Sequence, residues 1–230
     1  GLMNPMPMPE KFIQEVKKVS VGDILNLEEL TKHLVELGYE KNYQAETMGE
    51  FSVRGGILDI FPLTEDNPFR IEFWGDEVDS IRSFDAESQR SIENLEEISI
   101  YPACELVLTA EERQEGIKRI LKEADKVSAK LRKEMKTEEA HRTKSAAAQI
   151  AEEAGELGIS AGLDAYLSYF CEERVSLLDY FNRENTVIFV DELARSIERG
   201  MVTETEFSES MKQRLEKGYI LPGQMRELFS

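Results

Sequence analysis

The chain has 230 residues, and 28 basic against 46 acidic side chains give it a net charge of −18. Hydrophobic residues make up 41% and charged residues 32%, which is typical of folded domains rather than of disordered tails. Because cations that neutralise phosphates dominate affinity for nucleic acid, this charge argues against direct DNA binding. The sequence has no run of 18 apolar residues, and its first residues lack the pattern of a secretory signal, so we expect a cytoplasmic protein without a membrane partner.

Few residues are of the types that hold metals or nucleotides. The sequence contains two cysteines, Cys104 and Cys171, and two histidines, His33 and His141, which are too few for a zinc cluster or a disulfide framework. It also lacks the G-x-x-x-x-G-K-S/T phosphate loop, whose backbone amides hold nucleotide phosphates. We therefore expect no metal, reduced thiols and no nucleotide cofactor in this segment.

The sequence changes character near residue 103. Residues 1–103 carry nine basic and 21 acidic side chains and are rich in short β-like runs, whereas residues 104–230 carry 19 and 25 and have mostly helical patterns. We predict an N-terminal arm over residues 1–22, kept out of regular helix by its prolines, and an α+β domain over residues 23–103. Residues 104–230 are predicted to form a mostly helical α/β domain.

The α+β domain is predicted to begin with an amphipathic helix over Leu27–Leu37. Asn26 and Glu29 have the spacing of a capping box, and Gly38 follows as a helix stop. Five further runs alternate in polarity or are rich in β-branched and aromatic residues, and they predict strands: Glu50–Arg54, Ile57–Pro62, Phe69–Phe73, Val78–Phe84 and Ile98–Tyr101. Turns are predicted at Gly55–Gly56 and Trp74–Glu77. The pattern indicates a helix followed by a small antiparallel sheet.

The second half is predicted to contain two long helices and one strand. Thr109 begins the first helix, followed by acidic residues that suit a helix N-terminus, and residues 137–156 continue with a helical composition. Thr186–Val190 is an uninterrupted apolar run, which is typical of a strand buried on both faces of a parallel sheet. One such strand cannot form a sheet alone, so either its neighbours lie elsewhere or this half is an insertion that carries one edge strand.

The apolar run ends in Asp191 and Glu192, which are the most enzyme-like feature of the sequence. P-loop ATPases place acidic residues at the end of a buried strand, where they hold Mg²⁺ and position water. Without a phosphate loop the pair has two interpretations, the magnesium-holding acids of a working ATP site or acids that merely end a strand at the surface. An inactive remnant of such a site is compatible with the second interpretation, and we expect no catalytic residue in this segment.

A second candidate site is a protein-interaction surface around Arg54. The first part of the chain has few cations among its acidic residues, and Arg54 lies near Phe51 and next to the diglycine turn. An arginine next to an aromatic ring is a common interface anchor, since the guanidinium pairs with carboxylates and stacks on rings. The alternative is a solvated charge.

Several stretches of the sequence resemble a known family. In the α+β domain these are Leu34–Lys41, Gly49–Pro62 and Arg70–Asp85, which resemble the damage-recognition module shared by the excision-repair protein UvrB and the bacterial transcription-repair coupling factors (Mfd). In the second half they are Leu177–Phe181, Val187–Glu192 and Gly218–Pro222, which look like the helicase-type domain of UvrB with its Walker B strand. UvrB continues the acidic pair with Ser-His, whereas Leu193 and Ala194 follow it here. Residues 83–91 look more like a coupling factor.

The resemblance implies a non-catalytic segment of a coupling factor that recruits UvrA to lesions where RNA polymerase has stalled. The family's UvrA contacts fall on Lys41, on Arg54 and on Ser52, where UvrB carries an arginine. Phe51 or Phe61 is expected to supply apolar anchoring, with core packing as the alternative for Phe61. The translocase that uses ATP and Mg²⁺, and the contacts to RNA polymerase and DNA, are expected in other domains of the same polypeptide. The alternative function is an ATPase fragment of a UvrB-like repair helicase.

Overall fold

The computed structural model describes residues 3–156 and 163–226. The chain falls into two compact units, which we call the sheet unit (Glu10–Val107) and the helical unit (Gly1–Pro9 with Leu108–Ser230). The predicted class, an α+β domain followed by a mostly helical domain, is confirmed. In the described ranges, no helix is both long and apolar enough to cross a membrane.

The sheet unit combines a six-stranded sheet with a separate strand pair. Its elements are α1 (Pro9–Gln14), β1 (Lys17–Ser20), α2 (Leu27–Glu36), β2 (Glu40–Lys41), β3 (Glu50–Arg54), β4 (Ile57–Ile60), β5 (Phe69–Trp74), β6 (Glu77–Phe84), β7 (Ser91–Leu95) and β8 (Glu97–Ile100). Strands β2 to β7 lie side by side in chain order; β2 and β3 are parallel, and every later pair is antiparallel. Strands β1 and β8 form the separate antiparallel pair.

Helix α2 confirms Asn26 as the predicted N-cap. The side-chain oxygen of Asn26 accepts hydrogen bonds from the backbone N–H groups of Glu28 and Glu29 at 3.0 and 3.1 Å. Gly38 follows the helix with a left-handed φ of +91°. An added Cβ at Gly38 would lie 2.7 Å from the Cβ of Cys104, so both the backbone conformation and the packing require glycine here.

The core of the sheet unit is formed by residues that alternate along the strands and by the apolar side of α2. Its buried members are Val19, Leu30, Leu34, Leu37, Tyr39, Phe51, Leu58, Ile60, Phe69, Ile71, Val78, Ile81, Ile98, Ile100 and Val107. Burial of a large apolar side chain contributes about 1.5–3 kcal/mol. The one hydroxyl in this set, on Tyr39, donates a hydrogen bond to the carbonyl of Tyr101 at 2.8 Å.

The prediction of an irregular N-terminal arm is wrong for α1 and β1. Pro9 occupies the first position of α1, where the N–H that proline lacks has no intrahelical acceptor in any case. Strand β1 pairs with β8 and buries Val19 in the core. The sequence did not predict this strand because its four residues include a single apolar side chain.

Three long helices lie in the described part of the helical unit; two confirm the predicted ones, and the third, over Leu193–Glu216, was not predicted. The elements of this unit are α3 (Ala110–Lys133), α4 (Thr137–Glu156), α5 (Leu167–Phe170) and α6 (Leu193–Glu216), with 3-10 turns at Leu163–Tyr166, Leu177–Tyr180 and Pro222–Arg226. Thr109 caps α3 as predicted: its hydroxyl accepts a hydrogen bond from the Glu112 N–H at 3.2 Å, and the Glu112 carboxylate accepts one from the Thr109 N–H at 3.0 Å.

The predicted buried strand over Thr186–Val190 is wrong. These residues form neither strand nor helix, and the side chains of Val187 and Phe189 are 76% and 91% exposed. A strand depends on hydrogen bonds to a neighbouring strand, and the described residues of the helical unit form no strand. Their β-branched and aromatic character favours a strand only where a sheet is available to receive it.

Candidate protein-interaction surface

Side-chain alternation gives the six-stranded sheet a polar face opposite the core. Phe51 of β3 points to the core, so Ser52 and Arg54 alternate with it. The register places Asp59 of β4 opposite Ser52, and Arg70 of β5 opposite Asp59. The polar face consists of Ser52, Arg54, Asp59, Arg70, Glu72, Ser80 and Arg82.

Asp59 is the centre of the polar face. Its side chain is 2% exposed and accepts hydrogen bonds from Arg54 Nη2 at 2.6 Å and from Arg70 Nε and Nη2 at 2.6 and 2.8 Å. The two bonds from Arg70 fix the orientation of the carboxylate as well as neutralising its charge. These hydrogen bonds also raise the pKa of the Arg70 guanidinium above its usual value.

Arg70 is held from two further sides. Its Nη2 donates to the side-chain oxygen of Gln89 at 2.9 Å, and its guanidinium carbon lies 4.4 Å from the centre of the Phe84 ring. The stacking adds a cation–π attraction to the hydrogen bonds. Arg70 is therefore a structural residue, and its side chain is only 14% exposed.

Arg54 is the accessible cation of the polar face. Its side chain is 46% exposed, compared with 25% for Arg82. Because Arg54 Nη2 is already anchored on Asp59, the side chain loses less conformational freedom when a partner carboxylate binds the exposed part of the guanidinium. The geometry suits charge-assisted recognition of an acidic group.

The polar face is cationic within an acidic unit. Its three arginines face two carboxylates, Asp59 and Glu72, whereas the sheet unit as a whole has nine basic and 22 acidic residues. Glu72 accepts hydrogen bonds from Arg82 Nη2 at 2.5 Å and from the Ser80 hydroxyl at 3.0 Å. Electrostatic complementarity favours an acidic partner surface at this face and disfavours it over the rest of the unit.

Lys41 lies at the edge of the sheet. It is exposed and ends β2, the outermost strand, where the register places it beside Phe51. Because neighbours in register project to the same side, Lys41 leaves the sheet on the core side and Arg54 leaves it on the polar face. A partner that binds both cations has to reach over the β2 edge.

The loop between β2 and β3 is ordered by Glu50. Its carboxylate accepts hydrogen bonds from Asn42 Nδ2 at 2.7 Å and from the N–H groups of Glu46 and Thr47 at 3.0 and 2.9 Å. The hydrogen bond from the Thr47 backbone has the largest effect in lowering the pKa of Glu50, and the other hydrogen bonds lower it further. Glu50 therefore fixes the loop that carries Tyr43, whose side chain is 97% exposed.

Three of the residues predicted as contacts are buried. Phe51 is fully buried and Phe61 is 7% exposed, so neither ring is available at the surface as an apolar anchor. Ser52 is 1% exposed, and its hydroxyl is likewise covered. Phe51 lies on the core side of β3 and Ser52 on the opposite, polar face, and sequence spacing did not show that both faces are covered at this point.

Two aromatic residues other than Phe51 and Phe61 are exposed near Lys41 and Arg54. Trp74, at the end of β5, is 83% exposed, and Tyr43, two residues after Lys41, is more exposed still. The sequence carried a signal for Trp74, since it stands at a predicted turn, where a large ring has no core to enter. The turn was predicted from the sequence, but the exposure of Trp74 was not.

Asp191 and Glu192 do not end a strand. Both are exposed and directly precede α6. Glu192 has a left-handed φ of 50°, and its carboxylate accepts a hydrogen bond from Arg195 Nη1 at 2.8 Å. Within the part of the chain that the structure describes, no three His, Cys, Asp or Glu side chains are grouped as a metal site requires. The interpretation of the pair as acids at the surface fits this exposure.

The comparison with protein families agrees with a surface built for protein contacts. Residues 18–106 match the family model of the UvrB interaction domain, and they span most of the sheet unit. This part of the chain is similar to that domain.

The chain is also similar to two named repair proteins. It is 39% identical over 216 residues to the transcription-repair-coupling factor of Bacillus subtilis (strain 168), which is 94% of this chain and 18% of that factor. It is 38% identical over 180 residues to UvrABC system protein B of Fervidobacterium nodosum (76% of this chain, 27% of the relative) and 34% identical over 189 residues to that of Thermosipho africanus (80% and 28%). The predicted resemblance is confirmed, and the chain spans less than a third of the length of each of these relatives.

Proposed function

We propose that this chain is a non-catalytic docking segment of a transcription-repair coupling factor, which recruits UvrA of nucleotide excision repair to lesions where RNA polymerase has stalled. The match to the UvrB interaction domain and the similarity to a coupling factor support the proposal. The observation that carries it is the polar face, on which Arg54 is half exposed and is braced by Asp59.

Arg54 is the main contact in the proposed complex. Its exposed guanidinium donates charge-assisted hydrogen bonds to carboxylate or carbonyl oxygens of UvrA, which are about twice as strong as neutral hydrogen bonds. The bond to Asp59 reduces the conformational freedom that Arg54 loses on binding. Lys41 adds a flexible point charge at the β2 edge and contributes less, because it lacks the planar fork of an arginine.

Other activities of the whole protein lie outside this chain in the proposal. Further domains of the same polypeptide bind ATP and Mg²⁺ and contact DNA and RNA polymerase, while this segment supplies the recruitment step. Asp191 and Glu192 take no part in hydrolysis, since they are exposed beside α6 and do not end a strand.

Isothermal titration of the chain with purified UvrA tests the proposal. We expect Arg54→Ala to weaken binding at least about tenfold, as the loss of a hydrogen bond to a charged group does, and Lys41→Ala to weaken it about threefold, as the loss of one exposed charge does. Lys18→Ala is the matched control, because Lys18 is an exposed cation of β1 that lies outside the polar face. Its affinity should equal that of the wild type.

The variants remain interpretable because Arg70 keeps Asp59 paired when Arg54 is removed. Circular dichroism and thermal unfolding should therefore match the wild type. Unchanged affinity in folded Arg54→Ala and Lys41→Ala proteins would remove this surface from consideration. Mg²⁺-dependent binding of a fluorescent ATP analogue by the chain would instead favour the ATPase fragment and overturn the non-catalytic assignment.

A further inference from the structure

The polar face supplies charge, and a tight interface also needs a large apolar contact at its centre. Phe51 and Phe61 are buried and do not provide one. We infer that Trp74 is the apolar anchor of the docking surface around Arg54, and that UvrA offers it an apolar pocket edged by carboxylates. This inference rests on the proposed function, because it names a further contact of the same site.

Trp74 lies at the same end of the sheet as Arg54. The Phe73 N–H donates a hydrogen bond to the carbonyl of Gly56 at 2.8 Å, so the end of β5 lies against the diglycine turn that follows Arg54. An added Cβ at Gly56 would be 2.9 Å from the Phe73 carbonyl oxygen. The close approach depends on glycine and keeps the turn and the end of β5 in a fixed relation.

Trp74 also projects to the same side as the arginines. Along β5, Arg70, Glu72 and Trp74 are alternate residues, and alternate residues of a strand share a face. The register places Glu72 beside Ile57, and Ile57 beside Arg54. Trp74 therefore extends the polar face one step past this row, towards the turn.

Trp74 is far more exposed than the phenylalanine rings in the strands of the sheet. Its side chain is 83% exposed, whereas the rings of Phe51, Phe69 and Phe84 are 7% exposed or less. A tryptophan can bury 150–250 Å² in an interface, roughly the largest contribution of any side chain. Trp and Arg are also the residue types most enriched among the contacts that dominate binding energy.

Charge decides which partner fits. The register places Glu77 beside Trp74 on β6, whereas Arg54 lies on the side of the diglycine turn, so a partner gains most if the carboxylates at the edge of its indole pocket are on the Arg54 side. Arg54 and Trp74 then contribute through different physics. The contribution of Arg54 is screened by salt, whereas burial of the indole depends little on ionic strength.

The chain offers a direct probe, because Trp74 is its only tryptophan. Labelling with 5-fluorotryptophan gives one ¹⁹F resonance, which unlabelled UvrA does not obscure. We expect this resonance to shift when UvrA is added. We expect Trp74→Ala to weaken binding about tenfold, the cost of removing a central aromatic contact, and Trp74→Phe to have an intermediate affinity. The salt dependence of binding should persist in Trp74→Ala and decrease in Arg54→Ala.

Phe189→Ala is the matched control, since it removes an equally exposed ring from the helical unit; its affinity should not change. Thermal unfolding of Trp74→Ala should match the wild type, because the ring is outside the core. If UvrA binds the wild type but Trp74→Ala binds equally well and the ¹⁹F resonance does not move, the inference is wrong and the proposed function stands. If UvrA does not bind the wild type, both are overturned. A shift that depends on the concentration of the chain alone would assign Trp74 to self-association and also overturn the inference.

Discussion

The two units differ in how far their apolar residues are buried. In the sheet unit, the apolar residues of β3 to β6 are buried together with those of α2. In the helical unit, a continuous series of apolar side chains between residues 187 and 202 is at least half exposed: Val187, Ile188, Phe189, Val190, Leu193, Ile197, Met201 and Val202. These side chains therefore contribute little to the core of the helical unit.

The difference teaches what a β-like sequence needs in order to become a strand. Glu50–Arg54 and Thr186–Val190 are both five residues long and both contain β-branched and aromatic residues. The first lies between β2 and β4, which pair with its backbone. The second has no strand beside it among the described residues of its unit. Hydrogen-bonding neighbours, rather than propensity, separate the two outcomes.

The largest expected effect contrasts these two regions directly. Leu58→Ala should lower the free energy of unfolding by about 2–5 kcal/mol, because it leaves a cavity in a fully packed core. Phe189→Ala should change it by less than about 0.5 kcal/mol, because the ring is exposed. Urea denaturation followed by circular dichroism measures both. Similar losses in the two variants would mean that the apolar segment of the helical unit is packed after all.

The second effect concerns charge inside the sheet unit. Asp59→Asn should destabilise the protein by about 2 kcal/mol, since it removes the carboxylate that pairs with Arg54 and with the well-covered Arg70. Glu72→Gln is the control, because the Glu72 and Arg82 side chains are both more exposed and such pairs contribute less than about 1 kcal/mol. Thermal unfolding compares the two variants. Equal shifts would show that Asp59 is not the centre of the polar face.

The third effect tests whether the helical unit has a comparable polar anchor. The Tyr169 hydroxyl donates a hydrogen bond to the Glu123 carboxylate and accepts one from the Gly223 N–H at 3.0 Å. Tyr169→Phe removes both and should cost about 1 kcal/mol. Tyr219→Phe, at a half-exposed ring, should cost almost nothing. Chemical denaturation of the two variants provides the comparison, and a neutral Tyr169→Phe would contradict it.

The same tyrosine predicts a pH effect. Burial first, and the nearby Glu123 next, raise the pKa of Tyr169 above its usual value. The folded state therefore keeps this proton more strongly than the unfolded state does. The stabilisation is fully present below about pH 10 and is lost as the pH rises above it. Denaturation between pH 8 and 11 should show this loss in the wild type and a smaller one in Tyr169→Phe.

The smallest expected effect concerns the loop between β2 and β3, which Glu50 holds by hydrogen bonds. The lowered pKa of Glu50 means that its hydrogen bonds to the loop are present above the unfolded pKa and are lost as the pH falls through the folded one. Amide protection at Glu46 and Thr47, measured by hydrogen exchange, should therefore decrease in acid. Glu50→Gln should have low protection at every pH, whereas Glu40→Gln on β2 should behave as the wild type. Constant protection in acid would show that Glu50 does not hold the loop.

Local signals predicted the elements that depend on local chemistry. The caps at Asn26 and Thr109 follow from side chains that bond to neighbouring backbone groups. The left-handed conformation at Gly38 follows from the freedom of glycine to adopt a positive φ. The alternation in β5 and β6 predicted both strands because their own two faces differ in polarity. These features require no knowledge of distant residues.

The elements that depend on distant partners were not predictable in the same way. Strand β1 exists because β8, about eighty residues later, completes it. The sequence identified Arg54 as one of the few cations in an acidic region. Its accessibility depends on Asp59 and Arg70, which the sheet brings beside it. Phe51 and Trp74 are both aromatic residues in strands. The predicted turn carried a signal that Trp74 faces solvent, whereas the burial of Phe51 depends on the packing of the whole sheet.

The pairing of β1 with β8 brings the two ends of the sheet unit close together. Lys17 lies opposite Ile100, and paired residues of antiparallel strands are about 5 Å apart. The chain thus enters and leaves the sheet unit at nearly one point, and the helical unit is made from the residues before and after it. A body with such closely spaced ends can be cut out of one host and inserted into another without stretching either. The β1–β8 pair holds the two ends of the sheet unit together.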